Sequence, residues 1–525
     1  MIKPESYYLD LFQVTPRGLE ELAASGIREG GSYCDLFFEN TTYHELLLRD
    51  GIVSSGGFHI DYGVGIRVLK GDRTGYAYSE STDARSMRDA VKAASLIALR
   101  AITAQPVYPP APPRGTEGRS PQTPCVATLR TQAGAVLPQA EPLATGRTQP
   151  QRSENGCGRG QRSVRQLKDY YPFERDWRKA ETSGFEPYME RLQQKISASD
   201  QRVLKVIVSL SDQVSDIMMY NSLGELTFDT RPMGTIAVSV VFSSDGRIEN
   251  KTVSRSFRTG AEMLTDALLD EIASEVVKGI DERFAARRPK GGKMPVVMGA
   301  GASGILLHEA MGHAFEADFN RKGQSIFSGR IGEKVCRHEI SIVDDGTIPG
   351  NRGAVNYDDE GVPGQNTFMV RNGVLESYLH DRISANHFGV SPTGNGRRES
   401  FRYAPIPRMR ATYMLGGKST KDDIIASVKK GIYVDQFSNG QVQIGEGDFT
   451  FFVKSGFLIE DGRLTMPVKD INIIGNGPQA LADIVAVGND PKVDDGAWTC
   501  GKGQSCPVSC GIPTVLVNNL TVGGE

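Results

Sequence analysis

The chain has 525 residues with a formal net charge of −3, of which 39% are hydrophobic and 23% charged, so its length predicts about two to four globular domains rather than one compact core. The charge gives no argument for a basic face that binds nucleic acid, and no apolar run approaches the roughly 20 residues that span a bilayer. The first residues lack a secretion signal, so we expect a cytoplasmic protein whose seven cysteines are free thiols or metal ligands rather than disulfides.

Residues 1–100 predict a mixed α/β domain. A helix with Thr15 as its cap and Pro16 in its first turn is expected to end before Gly26. Three short strands separated by Gly and Asp turns follow as CDLFFE, YHELLL and GVGIRVLK. The segment DARSMRDAVKAASLIALRA then repeats apolar residues at three- and four-residue intervals, which is typical of an amphipathic helix.

The composition changes abruptly over residues 101–165. Residues 101–160 hold 10 of the 27 prolines and show neither a helical nor a strand period. Such a low-complexity segment cannot bury enough apolar surface to offset the entropy of ordering it, which predicts disorder. Because a regular pattern resumes abruptly near DYYPFERDW, a shifted reading frame is the alternative interpretation, and both stay open at this point.

Residues 166–290 predict a central α/β domain. The segment EPYMERLQQKISAS is helical, and RVLKVIVSLS and GTIAVSVVFSS alternate as half-buried strands do. The segment GAEMLTDALLDEIASEVVKGIDERFAA predicts one long amphipathic helix. Proline, glycine and charge without an apolar anchor then mark a domain boundary in RRPKGGK, Arg287 to Lys293.

Residues 291–525 are rich in glycine and in strand-like runs such as QVQIGE, FTFFVK and TVLVNN. They predict a strand-rich C-terminal domain that carries a few helices. Together with the N-terminal and central α/β units, this domain gives an α+β fold class.

The stretch GAGASGILLHEAMGHAFEAD, Gly299 to Asp318, has two competing interpretations. Its glycines fit the G-x-G-x-x-G pattern of a dinucleotide-binding loop between a strand and a helix. However, FNRKGQSIFSGR lacks the acidic residue that such a loop needs about 20 residues later, and the pattern arises easily by chance among 59 glycines. Close packing of the helix start against neighbouring backbone explains the glycines as well.

The second half of this stretch places Glu309 between His308 and His313, which predicts a metal site on a helix. In a regular helix, residues five apart are separated by about 140°, so the two imidazoles could not reach one ion. A turn widened by one residue, as in a π-bulge, brings them together, and Gly312 supplies local freedom for it. The alternative is a pair of hydrogen-bonded core histidines.

Several longer motifs resemble the TldD/PmbA family of metallopeptidases, on its TldD side. They are the stretch from Gly299 onward, DDEGVPGQ, SPTGNGRRESF, NGQVQIGEGDF, VGNDPKVDDGAWTCGKGQSCPV and, near the N-terminus, RDGIVSSGGFHIDYGVGIRVLKGDRTGYAYS. The resemblance covers residues 1–100 and about 166–525 and fails across 101–165. It implies a zinc-dependent peptidase that acts on unfolded or flexible peptides. It also implies a homologous PmbA/TldE-like partner that lacks the metal motif, so that this chain is the catalytic subunit.

The resemblance implies that His308, His313 and Cys500, in WTCGKG, hold Zn²⁺. Three protein ligands leave one zinc position for water, and Glu309 can deprotonate that water as the general base. The alternative ligands by position are the other cysteines of this region and the acids that follow the second histidine, namely Cys506, Cys510, Glu316 and Asp318. A structural zinc held by Cys500, Cys506 and Cys510 would lack the usual C-x2-C knuckle. Cys506 and Cys510 are therefore expected to be packed thiols.

Two other functions stay open on the sequence alone. A non-catalytic regulatory or binding subunit could keep a structural metal or none, although such a site has no need of Glu309. A metal-dependent hydrolase could instead act on esters or on amides other than peptides. Arg397 and Arg398, in GNGRRES, could bind peptide carbonyls or brace a loop.

Overall fold

A computed structural model of the chain describes residues 3–100, 168–179, 184–443 and 445–524. The predicted disorder or frame shift over residues 101–165 lies outside these ranges. In the first half of the described chain, helices and blocks of three antiparallel strands follow one another, and strands dominate the second half, which confirms the α+β class. Within the described residues, no helix combines the length and the hydropathy needed to cross a membrane.

Six strands of the N-terminal and central segments form one antiparallel sheet. They are β1 (Tyr33–Arg49), β2 (Ile52–Lys70), β3 (Arg73–Ser79), β4 (Val203–Asn221), β5 (Leu226–Ser244) and β6 (Arg247–Phe257). Their order is β3-β2-β1-β4-β5-β6, and β1 pairs with β4 along most of its length. The two segments therefore share a sheet, and their division into domains at residues 1–100 and 166–290 stays a prediction.

Six helices pack on this sheet in two groups. They are α1 (Glu5–Leu11), α2 (Pro16–Arg28), α3 (Ala84–Arg100), α4 (Glu186–Ser199), α5 (Asp266–Val277) and α6 (Ile280–Ala285). Helices α1 to α3 share a core with Phe38 and Ile66 of the sheet, whereas α4 to α6 share another core with Val208 and Val238. Each group buries one apolar helix face, as the three- and four-residue spacing of its sequence requires.

Three boundaries predicted for this half were wrong. CDLFFE and YHELLL belong to one strand, β1, because the pairing of β1 with both β2 and β4 continues through the polar residues between them. Helix α2 continues past Gly26 to Arg28, where the glycine permits close packing, since a Cβ there would lie 2.9 Å from the Sγ of Cys34. The single long helix is divided into α5 and α6 because Gly279 adopts a left-handed conformation with φ of 74°.

The C-terminal part begins with β7 (Gly292–Met298), and five short α-helices lie within its described residues. These are α7 (Ile305–Leu307), α8 (Ala317–Arg321), α9 (Arg382–Phe388), α10 (Lys421–Ala426) and α11 (Gly477–Ala482). Its other strands are β8 (Ile342–Asp345), β9 (Asn366–Arg371), β10 (Val374–Leu375), β11 (Gly396–Arg397), β12 (Ile406–Pro407), β13 (Ala411–Met414), β14 (Lys430–Val442), β15 (Asp448–Glu460), β16 (Arg463–Val468), β17 (Ile471–Asn476), β18 (Ile484–Val487), β19 (Lys492–Val493), β20 (Thr499–Gly501), β21 (Ser505–Pro507), β22 (Ser509–Ile512) and β23 (Val515–Gly523).

Two larger sheets organise these strands. In the first, the order is β14-β7-β23-β17-β15-β16, and a further pairing of β14 with β15 closes the sheet into a ring. The second has the order β10-β9-β8-β13-β22-β19. The helical run after β7 contacts β14 and β15 of the closed sheet and β13 and β22 of the other. This run, which carries the predicted metal motif, is therefore held by both sheets.

Candidate metal centre

The helical run after β7 has the widened turn that the histidine spacing requires. α7 passes into a π-helical turn at His308–Gly312, and a 3-10 turn at His313–Phe315 follows. The predicted π-bulge is thus confirmed. The backbone of Gly312 is right-handed, with φ of −57°, so this position does not need the conformational freedom of glycine. It needs the absence of a side chain, because a Cβ there would lie 2.2 Å from the Sδ of Met409.

Gly312→Ala is expected to destabilise the protein by about 1–3 kcal/mol, because the added methyl group would displace the π-helical turn or the buried Met409 side chain. A lower temperature of unfolding and a reduced content of bound zinc would both be measured. Gly184→Ala is the matched control, since a Cβ at Gly184 meets no atom within 4 Å. Equal stability of the two variants would contradict this account of Gly312.

The two histidines and a distant cysteine converge on one point. The rings of His308 and His313 lie 5.1 Å apart between centroids, at an interplanar angle of 82°. Cys500, on β20, places its Sγ 3.3 Å from the Nε2 of His313. One ligand atom from each of the three residues lies within 4.8 Å of the others, and all three side chains are buried.

The unsatisfied nitrogens of His308 indicate what this cluster can hold. Both ring nitrogens are buried, and neither has a hydrogen-bond partner among the described residues. A buried polar group without a partner costs about 1–3 kcal/mol, which a cation at the point of convergence would offset. Two imidazole nitrogens and one sulfur suit Zn²⁺, whose ligand atoms lie about 3.3–3.6 Å apart when bond lengths are about 2.0–2.3 Å. The donor set and the separation of Cys500 from His313 fit this ion.

Electrostatics favour the thiolate form of Cys500. Burial opposes ionisation, but the rings of His313 and His308 hold the pKa of the Cys500 thiol well below its ordinary value. Burial likewise opposes the charge on His313, while Cys500 and Glu316 raise its pKa well above the ordinary value. In this pair, a proton on the Nε2 of His313 lies between that nitrogen and the Sγ of Cys500. Binding of a metal ion by the two atoms would release this proton.

A hairpin and a buried arginine hold Cys500 in place. β20 pairs with β21, and Cys500 is directly opposite Cys506. Arg408 donates to the carbonyl oxygen of Cys500 at 2.6 Å, to that of Gln504 at 2.8 Å and to the Sγ of Cys506 at 3.4 Å. Cys506 and Cys510 are buried, as expected for packed thiols, and burial raises the pKa of the Cys506 thiol. The sequence did not indicate a role for Arg408, which lies 92 residues from Cys500.

Glu316 orients His313 from the side opposite Cys500. Its Oε2 lies 2.9 Å from the Nδ1 of His313 and 3.0 Å from the Nζ of Lys502, which also donates to Asp318 at 2.7 Å. Burial would raise the pKa of the Glu316 carboxyl, but Lys502 and His313 hold it at about 2. The carboxylate therefore stays ionised and fixes the ring so that Nε2 faces Cys500. By their position in the sequence, Glu316 and Asp318 were alternative metal ligands. In the structure, both carboxylates contact Lys502 instead.

Glu316→Gln is expected to weaken zinc binding by about 10–100-fold, as loss of a carboxylate that orients a histidine ligand typically does. A competition titration with a zinc-binding dye would measure this change. Asp318→Asn is the matched control, because Asp318 shares Lys502 with Glu316 but does not contact His313. An equal loss of affinity in both variants would show that Lys502, and not the His313 contact, matters.

Glu309 lies beside this cluster with its side chain partly open. Its Oε2 is 3.8 Å from the Nε2 of His313, and its side chain is 14% exposed. The three converging side chains are more deeply buried. A carboxylate next to a metal-ligand cluster and accessible to water is suited to accept a proton from a water molecule there.

Comparison with known proteins places this geometry in a family. Models of the PmbA/TldA metallopeptidases match in three parts, with domain 1 at residues 34–98, the central domain at 177–283 and the C-terminal domain at 291–524. Over 498 residues the chain is 36% identical to the metalloprotease TldD homolog of Haemophilus influenzae, covering 94% of this chain and 93% of that protein. The chain belongs to the TldD/PmbA family of metallopeptidases.

Two further relatives of this TldD/PmbA chain show how far the likeness extends. A zinc metalloprotease TldD homolog of Saccharolobus solfataricus is 32% identical over 260 residues, which cover 49% of this chain and 57% of that protein. The crystal structure of TldE from Thermococcus kodakarensis superimposes with a TM-score of 0.67 at 17% identity, covering 97% of this chain and all of that one. The TldE structure has the same fold.

Proposed function

We propose that this chain is a zinc-dependent metallopeptidase that hydrolyses peptide bonds in unfolded or flexible peptides. His308, His313 and Cys500 are the zinc ligands, and Glu309 is the general base. The observation that carries the proposal is the convergence of three buried ligand atoms on a π-helical turn, with both nitrogens of His308 lacking any other partner. The zinc metalloprotease name of the Saccharolobus relative supports the choice of metal.

The residues around the ion divide the chemistry between them. Bound zinc supplies a Lewis acid that lowers the pKa of water and polarises a carbonyl group. Glu309 accepts a proton from the attacking water and delivers it to the amine nitrogen as the carbon–nitrogen bond of the peptide breaks. Glu316 holds the His313 ring in one orientation, and Arg408 holds the backbone of Cys500, so that neither ligand has to reorganise during the reaction.

The burial of the site supports a flexible substrate. The three ligands are buried and only Glu309 is partly open. A peptide bond inside a folded domain could not approach such a site, whereas an extended segment can bring one carbonyl group to it. The family likeness supports a homologous TldE-like subunit as the partner, because the Thermococcus TldE has the same fold. A cytoplasmic location remains an expectation.

A combined metal and cleavage assay tests the proposal. The full chain, co-purified with its companion subunit from the native cell, is expected to contain about one zinc ion and to cleave a fluorogenic unstructured peptide. A chelator should abolish cleavage, and added zinc should restore it. Bound zinc without chelator-sensitive cleavage would instead favour a regulatory subunit with a structural metal. Cleavage of an ester but of no peptide would favour another hydrolase.

A further inference from the structure

Two buried arginines brace the hairpin that carries Cys500 from behind. Arg352 donates to the Oγ1 of Thr499 at 3.3 Å, directly before Cys500 in the chain. Arg397 donates to the carbonyl oxygen of Pro507 at 2.8 Å, and Pro507 is the partner of Thr499 across the hairpin. Of the two roles that the sequence left open for Arg397, bracing is therefore the one its contacts support.

A third arginine, Arg258, lies beside the chain segment that carries Arg352. Phe257 and Asn351 form an antiparallel bridge, and the N–H of Arg258 donates to the carbonyl oxygen of Gly350 at 2.8 Å. Arg352 also donates to the Oγ of Ser256, two residues before Arg258, at 2.5 Å, so both arginines lie at this junction. Arg258, Arg352 and Arg397 are called the arginine cluster from here on.

Two of the three guanidinium nitrogens of Arg258 are buried without a hydrogen-bond partner. The residue is only 5% exposed, yet its Nε and one terminal nitrogen have no hydrogen-bond acceptor. Across the described ranges, no other arginine has two guanidinium nitrogens in this condition. Its Cζ lies 5.5 Å from the centre of the Tyr171 ring, a contact that offers no negative charge. A buried cation without a counter-charge is strongly unfavourable.

The carboxylates of Asp229 and Asp359 already pair with another arginine, Arg231. Asp229 accepts from Arg231 at 3.0 Å and also from the hydroxyl of Tyr171. Asp359 accepts from Arg231 at 2.6 Å. Among the residues that the structure describes, no member of the arginine cluster forms an ion pair with a carboxylate. The cluster therefore carries an excess of buried positive charge.

The arginines also disfavour one another's charge. Burial lowers the pKa of Arg352 to about 9, and the charges of Arg258 and Arg397 act in the same direction. Burial lowers the pKa of Arg258 to about 10; Tyr171 and Asp229 act to raise it, whereas Arg231 and Arg397 act to lower it. Since a guanidinium group keeps its proton at neutral pH, the charge has to be balanced by another group.

We propose that the arginine cluster binds a small inorganic anion of the size of chloride, held chiefly by the two unpartnered guanidinium nitrogens of Arg258. No member of the cluster is more than 9% exposed, which suits an ion rather than a peptide terminus or a nucleotide. An anion there would balance the charge directly behind the strands that hold Cys500. The proposal does not depend on the peptidase reaction.

A comparison of unfolding temperatures in two salts tests this site. The full, zinc-loaded chain is melted in sodium chloride and in sodium gluconate at equal ionic strength. Gluconate is too large to enter, so the chain is expected to melt about 2 °C higher in chloride, with a rise that saturates. Arg258→Gln should remove this difference. Crystals soaked in bromide should show an anomalous peak within hydrogen-bond distance of Arg258, a measurement that needs no variant to fold.

The matched control is Arg255→Gln, three residues earlier on β6, where the arginine has its own partners in Glu271 and Glu275. This variant should keep the full difference between the two salts. Equal melting of the unmodified chain in both salts, with no bromide peak at Arg258, would overturn the proposal. So would an unchanged chloride effect in Arg258→Gln. Stabilisation by acetate but not by chloride would also overturn it and would indicate a carboxylate ligand.

Discussion

Glu309→Gln is expected to abolish peptide cleavage while leaving zinc bound. The amide is nearly the same size as the carboxylate but cannot accept a proton, and removal of a general base typically lowers the rate by about 10²–10⁴-fold. Zinc should stay because Glu309 is not one of the three converging side chains, and its carboxylate lies 3.8 Å from the Nε2 of His313. The loss should appear in kcat rather than in KM, and zinc content would be measured on the same sample.

Glu333→Gln is the matched control for this charge change. Glu333 pairs with Arg330 on the surface, where its side chain is 54% exposed, so its loss should change neither cleavage nor zinc content. Cleavage by Glu309→Gln at the unmodified rate would remove Glu309 from the mechanism. Loss of zinc together with activity would instead give Glu309 a part in holding the metal.

Cys500→Ser is expected to lose both zinc and cleavage. The neighbouring histidines stabilise a thiolate at this position, whereas a serine hydroxyl stays protonated at neutral pH and is a poor zinc ligand. Loss of a residue that only orients a metal ligand already costs about 10–100-fold in metal affinity. Loss of a ligand itself should therefore cost at least about 100-fold. Elemental analysis after dialysis and a zinc competition titration would measure the change.

Cys506→Ser gives the control for the hairpin itself. Cys506 is directly opposite Cys500 and equally buried, but its sulfur contacts Arg408 rather than the histidine rings. This variant should therefore keep zinc and most of the activity. If Cys506→Ser lost zinc while Cys500→Ser kept it, the assignment of the third ligand would be reversed.

Local sequence patterns predicted correctly those elements whose structure depends on their own residues. The helix predicted from EPYMERLQQKISAS is α4 at Glu186–Ser199, because its apolar spacing matches a single buried face. They failed for elements whose extent depends on pairing or packing with a neighbouring element. β1 is continuous because β2 and β4 pair with it on both sides, and no property of its own polar middle shows this. The break between α5 and α6 depends on one glycine, Gly279, whose conformation the surrounding packing selects.

The sequence by itself determined the histidine pair, the acid between them and the need for a widened turn, since a spacing of five residues is incompatible with one ion on a regular helix. Residue spacing left Cys500, Cys506 and Cys510 open, and the family resemblance pointed to Cys500. Only the tertiary structure shows Cys500 at the pair, because Cys500 and His313 lie 187 residues apart and meet only when the β20–β21 hairpin packs against the helical run. It likewise decided that Glu316 orients the ring and that Arg352 and Arg397 brace the hairpin that carries Cys500. Contacts between distant segments depend on how whole sheets pack, and short-range periodicity carries no information about that packing.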